Sequence, residues 1–178
     1  IGRPEIAALG VGGLLADSPV RPHPREAPLM TPPRLPRIRV IVLAAGHSSR
    51  MRAAGENINK LLQPLEGQPM IRYAVEAALG SAASDVVVVI GNEQQRIRAA
   101  LDGLPVIFSE NKEYSKGLST SLISGLNSLP ADCDGALVLL GDMPAVDVGL
   151  LDRLIAAFDP SESRAIIVPV HAGQRGNP

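Results

Sequence analysis

From Ile38 onward the sequence predicts an α/β domain, a mostly parallel sheet covered by helices on both faces. Three observations carry that expectation. Strand-like and helix-like segments alternate along the chain. The strand segments are continuous apolar runs, as expected where both faces of a strand are buried. The helical segments carry apolar residues along one side, so each has a single face to bury.

The elements follow in order. Ile38–Leu43 is β-branched and apolar except for Arg39, and reads as the first strand. A small, polar loop follows. Pro69 then opens a helix whose apolar positions Ile71, Ala74, Val75, Ala78 and Leu79 share one face, with Gly80 as a stop. Val86–Ile90 is a strand buried on both faces. Ile97, Ala100 and Leu101 mark a short helix before Asp102-Gly103, and Val106–Phe108 is a third strand. Leu118, Leu122, Leu126 and Leu129 stripe another helix. Ala136–Leu140 is a fourth strand. Asp147 is an N-cap for a helix with Leu151, Leu154, Ile155 and Phe158 inward, and Ala165–Val168 is a fifth strand.

The segment before Ile38 differs. Seven prolines stand between Pro19 and Pro36, mixed with arginines, which is the composition of an extended linker because proline fixes φ and removes a donor. Upstream of it, Gly10 and Gly12 superficially resemble a dinucleotide fingerprint, but Leu15 occupies the third glycine position and no strand precedes. Residues 1–37 therefore read as the tail of an upstream domain plus a Pro-rich linker, and residues 38–178 as the folded domain.

Composition narrows the partners. The net charge of −1 and aromatic content of 2% supply neither a basic footprint nor stacking platforms for nucleic acid. Apolar runs are strand-sized, with none of membrane-spanning length. Cys133 is the lone cysteine, so no intrachain disulfide forms; with no signal peptide in view, a cytoplasmic location is expected. His23, His47 and His171 lie in no ligand or triad pattern. The expected partner is a small anion.

In sheets of this kind ligands bind beyond the carboxyl ends of the strands. After the first strand, Ala44, Ala45 and Gly46 are small enough for close backbone approach, and successive N–H groups there can cradle an anion. Ser48 and Ser49 add hydroxyls, and Arg50 adds a charged fork suited to phosphate. Lys60 follows, able to neutralise charge that builds on a phosphate. After the fourth strand, Asp142 is placed as a Mg2+ ligand, because Mg2+ takes one or two carboxylates plus phosphate oxygens; the simpler reading is an Asp chosen for its turn. After the third strand, Gly117, Ser119 and Ser121 sit at a helix start that suits an anion or base edge, or plain capping, and Asn111 suits a base or ribose. Near the end, Arg175 suits an acceptor phosphate.

These segments, in this order, resemble the MobA-like nucleotidyltransferases, in particular the molybdenum cofactor cytidylyltransferase branch. The resemblance covers roughly residues 38 to 178. It rests on Leu43-Ala-Ala-Gly46 with Ser49-Arg50-Met51, Asn59-Lys60-Leu61-Leu62, Gly117 with Ser121, Asp142-Met-Pro144, and Gly173-Gln-Arg-Gly-Asn-Pro178. It implies a Rossmann-like three-layer sandwich of the nucleotide-diphospho-sugar transferase type. It implies that the loop from Leu43 holds a triphosphate, that Lys60 and Arg50 aid transfer, and that Asp142 holds Mg2+. It further implies that Arg175, Gly176 and Asn177 face the acceptor. Ala44-Ala45-Gly46 in place of a Gly-Gly pair resembles the cytidine-preferring version, so the implied reaction transfers CMP from CTP to molybdopterin with release of pyrophosphate.

The chain departs from the family pattern in two places. Arg52 stands where the family usually has glycine, and residues 52–58 lengthen the loop before Lys60. The family also continues past residue 178, so a C-terminally truncated domain is expected. The Pro-rich leader resembles the junction to an upstream molybdopterin-binding domain. Two alternatives stand beside the main reading: a sugar-phosphate or other small-molecule nucleotidyltransferase, and a catalytically incomplete nucleotide-binding module. Sugar-phosphate enzymes share the first-loop pattern but usually place proline before the lysine, where this chain has Asn59.

Overall fold

The computed structural model describes residues 36–46, 59–159, 166–171 and 174–175. Residues 1–35 of the expected tail and linker, the loop residues Ser48, Ser49 and Arg50, the 52–58 insertion, and Gly176 and Asn177 lie outside them. The strands are β1 (Ile38–Leu43), β2 (Pro64–Leu65), β3 (Gln68–Pro69), β4 (Asp85–Ile90), β5 (Ile107–Glu110), β6 (Gly135–Leu140), β7 (Val170–His171) and β8 (Gln174–Arg175). The helices are α1 (Met70–Gly80), α2 (Gln94–Ala100), α3 (Leu118–Asn127) and α4 (Val148–Ala157), with 3-10 turns at Lys60–Leu62 and Tyr114–Lys116.

Four strands form the central sheet in the order β5-β4-β1-β6, and every pairing is parallel. β1 is interior, and its alternate residues go to opposite faces. Val40, Val42 and Ala44 join the core beneath α1, α2 and α4, where they meet Ile71, Val75, Ile97 and Leu151. Ile41, Leu43 and Ala45 join Val89 on the other face, against which α3 packs. The result is the predicted three-layer α/β sandwich with a parallel sheet at its centre. The one charged residue of β1 is also accounted for, since Arg39 Nε donates to Asp85 Oδ2 at 2.8 Å across the β1–β4 pair.

The predicted face of α1 is the buried one: Ile71, Ala74, Val75 and Ala78. Asp147 caps α4 as expected, its Oδ1 accepting from Leu150 N at 2.7 Å. A short β2–β3 hairpin stands within the stretch read as loop; its two turn residues, Glu66 and Gly67, both have positive φ, which suits a two-residue hairpin turn.

Three expectations are revised. The third strand runs from Ile107 to Glu110, shifted toward the C-terminus. α3 does not bury its leucine stripe. Leu118 and Leu126 are exposed and Leu129 lies beyond the helix end, while Ser121 and Gly125 face the sheet. A Cβ at Gly125 would stand 2.5 Å from Ile41 Cγ2 and 3.0 Å from Val89 Cγ2, so the helix approaches on its small-residue side. The fifth strand is not formed over residues 166–168, and Ala165 lies outside the described residues. Pro169 removes a ladder donor and restricts its predecessor; the pairing instead begins one residue later, where Val170 and His171 oppose Arg175 and Gln174 in the antiparallel β7–β8 hairpin.

Candidate functional site

Because the central strands are parallel, β1, β4, β5 and β6 all end on the same side. β1 and β6 are adjacent and in register, with Leu43 opposite Leu140. The chain therefore leaves both strands side by side. Gly141 N donates to Leu43 O at 3.0 Å, which carries the ladder one residue beyond β6. A side chain at 141 would meet Leu43 O at 3.2 Å and Leu61 at 3.3 Å, so glycine lets this segment lie close to the Lys60–Leu62 turn.

That turn is built locally. Asn59 is its N-cap, with Oδ1 accepting from Leu61 N at 3.1 Å. Leu61 is buried against the core and anchors the turn. Between two buried neighbours, Lys60 projects outward. Its Nζ lies 3.2 Å from Asp142 Oδ2, across a sequence separation of 82 residues. The Asp142 carboxylate thus turns to a distant lysine rather than to the backbone of its own turn. Both side chains stay accessible, at 48% for Lys60 and 39% for Asp142. Asn59 itself is buried, and among the described residues its Nδ2 makes no hydrogen bond.

The first loop leaves β1 at the same place. Leu43, Ala44 and Ala45 are buried, and Gly46 is exposed, with no atom of the described residues within 4 Å of where a Cβ would stand. The Ala44 N–H is already committed to Val89 O at 2.8 Å, and Ala45 O accepts from Asn92 N at 3.4 Å. The Ala44 N–H is therefore engaged by the sheet, so a backbone anion cradle draws its donors from the residues after it.

Beyond β5, Asn111 is buried and braces the start of α3. Its Nδ2 donates to Thr120 Oγ1 at 2.9 Å and Ser121 Oγ at 3.0 Å, while Oδ1 accepts from Glu113 N at 2.9 Å. Both amide hydrogens are therefore taken inside the protein. Ser121 is buried with it. Gly117, at φ 121° and ψ 174°, adopts a conformation available essentially to glycine and opens onto free space. The end of β5 is two strand spacings from the end of β1, about 10 Å. Lys60 and Asp142 thus form one cluster where β1 and β6 end, and the Asn111–Ser121 group stands apart from it along the same sheet edge. Arg175 lies in β8; the structure describes its backbone pairing with Val170.

Among the described residues no group of three or more His, Cys, Asp or Glu side chains is placed to hold a metal ion. The donor set fits a hard cation that takes one protein carboxylate, Asp142, and fills its remaining positions with water and ligand phosphate oxygens, which is how Mg2+ is commonly bound. It does not fit an all-protein cage. No described helix is long and apolar enough to cross a membrane.

In the sequence Asn59 stands in the Asn59–Leu62 motif with no assigned task. The signal was there, because an Asn immediately before a short apolar-anchored turn is an N-cap. The role of Gly141 was not visible, since it depends on Leu43 and Leu61, remote in sequence.

Residues 40–178 match the family model for the MobA-like NTP transferase domain. Among curated proteins, the chain is 38% identical over 131 residues to the bifunctional protein GlmU of Kineococcus radiotolerans, covering 72% of this chain and 26% of that protein. It is 36% identical over 131 residues to GlmU of Leifsonia xyli, again covering 72% and 26%. The chain thus spans about a quarter of the length of these relatives. Among solved structures, a nucleotidyl transferase from Methanothermobacter thermautotroptrophicus superposes with a TM-score of 0.60 at 34% identity, covering 67% of this chain and 57% of that one. Rv0371C of Mycobacterium tuberculosis H37Rv in complex with manganese superposes with a TM-score of 0.62 at 25% identity, covering 82% and 70%.

Proposed function

The chain belongs to the MobA-like NTP transferase domain family, and on that premise we propose that it transfers a nucleotide from an NTP to a small phosphorylated acceptor. The observation that carries this reading is the contact between Lys60 and Asp142, which joins a cation suited to phosphate and a carboxylate suited to Mg2+ at the end of the sheet where β1 and β6 stop. The similarity to the Methanothermobacter nucleotidyl transferase supports the same class of reaction.

In this reading the triphosphate lies over Gly46, Ser48 and Ser49, next to the ends of β1 and β6. The nucleoside extends toward β5, where Gly117 offers an open backbone and Asn111 and Ser121 hold the rim. Asp142 holds Mg2+, the cation we assign here; manganese in the Rv0371C complex is a divalent precedent. When bound, the cation supplies positive charge to the phosphate oxygens. A phosphate oxygen of the acceptor forms a new bond to the α-phosphorus. The bond from that phosphorus to the pyrophosphate oxygen breaks, and pyrophosphate leaves. Lys60 and Arg50 neutralise the charge that develops, so catalysis is positioning and electrostatics without a covalent intermediate. Arg175, Gly176 and Asn177 face the acceptor.

For the acceptor, a sugar phosphate or similar small molecule takes first place. The first-loop pattern is shared with sugar-phosphate enzymes, and the similarity to GlmU proteins lends molybdopterin no support. Molybdopterin, with CTP as donor, remains the second reading because Ala44-Ala45-Gly46 and the Gly173–Pro178 motif resemble the cytidylyltransferase branch. The seven prolines before Ile38 support a linker to an upstream domain. The test is pyrophosphate release with CTP, GTP and UTP, each offered with sugar phosphates and with molybdopterin, with and without Mg2+. Release confined to one donor–acceptor pair identifies the reaction. Absence of release from every pair overturns the transfer reading.

A further inference from the structure

Asp142 offers the cation site one carboxylate, and that carboxylate is already engaged by Lys60 at 3.2 Å. Among the described residues no cluster of acidic, His or Cys side chains completes a metal site around it. A free divalent cation would have to displace the ammonium from Asp142 and then remain close to it. It would gain one ligand and meet a like charge a few ångströms away. A triphosphate changes both terms: it offers Lys60 a more highly charged partner and offers the cation additional oxygens. The ion pair is solvent-accessible, so it is weak enough to be split by such a ligand.

We propose that Lys60 is an internal counter-ion that occupies Asp142 until a triphosphate draws it away, so that divalent cation and nucleotide bind as a coupled pair. This rests on the nucleotidyl-transfer reading of the site. Coupling of this kind is reciprocal: nucleotide raises cation affinity by the same factor as cation raises nucleotide affinity. It also gives Lys60 opposite effects on the two ligands, which a merely structural lysine would not have.

The experiment uses the full chain, with Mn2+ binding followed by electron paramagnetic resonance and CTP and GTP binding by calorimetry. In the wild type, Mn2+ alone binds weakly and binds more tightly once nucleotide is present. In Lys60→Met and Lys60→Gln, Mn2+ alone binds about tenfold more tightly, nucleotide binds more weakly, and the coupling factor shrinks. Lys60→Arg keeps the charge and keeps Mn2+ binding weak. Asp142→Asn added to Lys60→Met removes the gain. If nucleotide binds but Mn2+ affinity is unchanged or lower in both neutral Lys60 variants, the counter-ion proposal is overturned and the transfer reading stands. If the gain survives Asp142→Asn, the cation is not at Asp142 and the proposal fails. If the wild type binds neither nucleotide with Mn2+, both fail.

Discussion

Asp142 is one residue past a buried glycine, and that glycine sets how close its backbone lies to the Lys60 turn. The carboxylate is a candidate in sequence because it follows an apolar strand and precedes Met143-Pro144. Its partner is not, because nothing local relates residue 142 to residue 60. Parallel pairing of β1 with β6 makes the connection. Asp142→Ala is expected to lower kcat by about 100- to 1,000-fold, the range typical for losing one strong electrostatic contributor at a transition state. Because Asp142 is partly exposed and its ion pair is open to solvent, the urea midpoint should stay near that of the wild type. Full turnover in that variant would remove Asp142 from the reaction. Gly117 makes a separate prediction. A side chain there meets no atom of the described residues, so the expected cost of Gly117→Ala is backbone strain, about 1–3 kcal/mol in urea unfolding. A neutral substitution would mean that the start of α3 can adopt another conformation.

At the level of elements, α3 shows what periodicity conveys and what it leaves out. The leucines at 118, 122 and 126 fall on one helical side, and that regularity identified the helix. It did not identify the buried side, because a helix packed very close to a sheet is limited by backbone approach rather than by apolar area. Ser121 and Gly125 permit that approach, whereas a leucine would hold the helix away. By contrast α1 packs through Ile71, Ala74, Val75 and Ala78, and there the apolar stripe and the buried stripe coincide. Gly125→Ala is therefore expected to destabilise by about 1–3 kcal/mol through overpacking against Ile41 and Val89, although alanine is the better helix former. Leu126→Ala, at an exposed position, should change stability by less than about 0.5 kcal/mol. The reverse order of these effects in denaturant melts would restore the leucine face as the buried one. The β7–β8 hairpin carries a related lesson, since an apolar run next to Pro169 reads as a strand until the missing N–H is counted.

On the scale of the whole molecule, the candidate site lies where β1 and β6 end, with the turn that carries Lys60 anchored to the core through Leu61. β1 and β4 are buried along nearly their full length, and Gly46, Lys60 and Asp142 sit within a few residues of core members Ala44, Leu61 and Leu139. The alternation of strands and helices made this end of the sheet predictable. The strand order β5-β4-β1-β6, which decides which loops are neighbours, was not, because β1, β4 and β6 are all largely apolar runs and so lack a local mark of their place relative to one another. A ligand held by these segments is bound by the folded state and has nothing comparable to hold in the unfolded chain, so its binding energy adds to global stability. At a concentration one hundred times Kd that contribution is about 2.7 kcal/mol, which for a domain of this size corresponds to a rise in Tm of roughly 5–10 °C. The nucleotide that serves as donor should produce this shift with Mg2+ present. At the same concentrations the shift should shrink in Asp142→Asn, which keeps the shape of the side chain and loses its charge. A donor nucleotide that binds in calorimetry yet leaves Tm unchanged would place its site away from the sheet end, on a part of the chain that unfolds separately from the core.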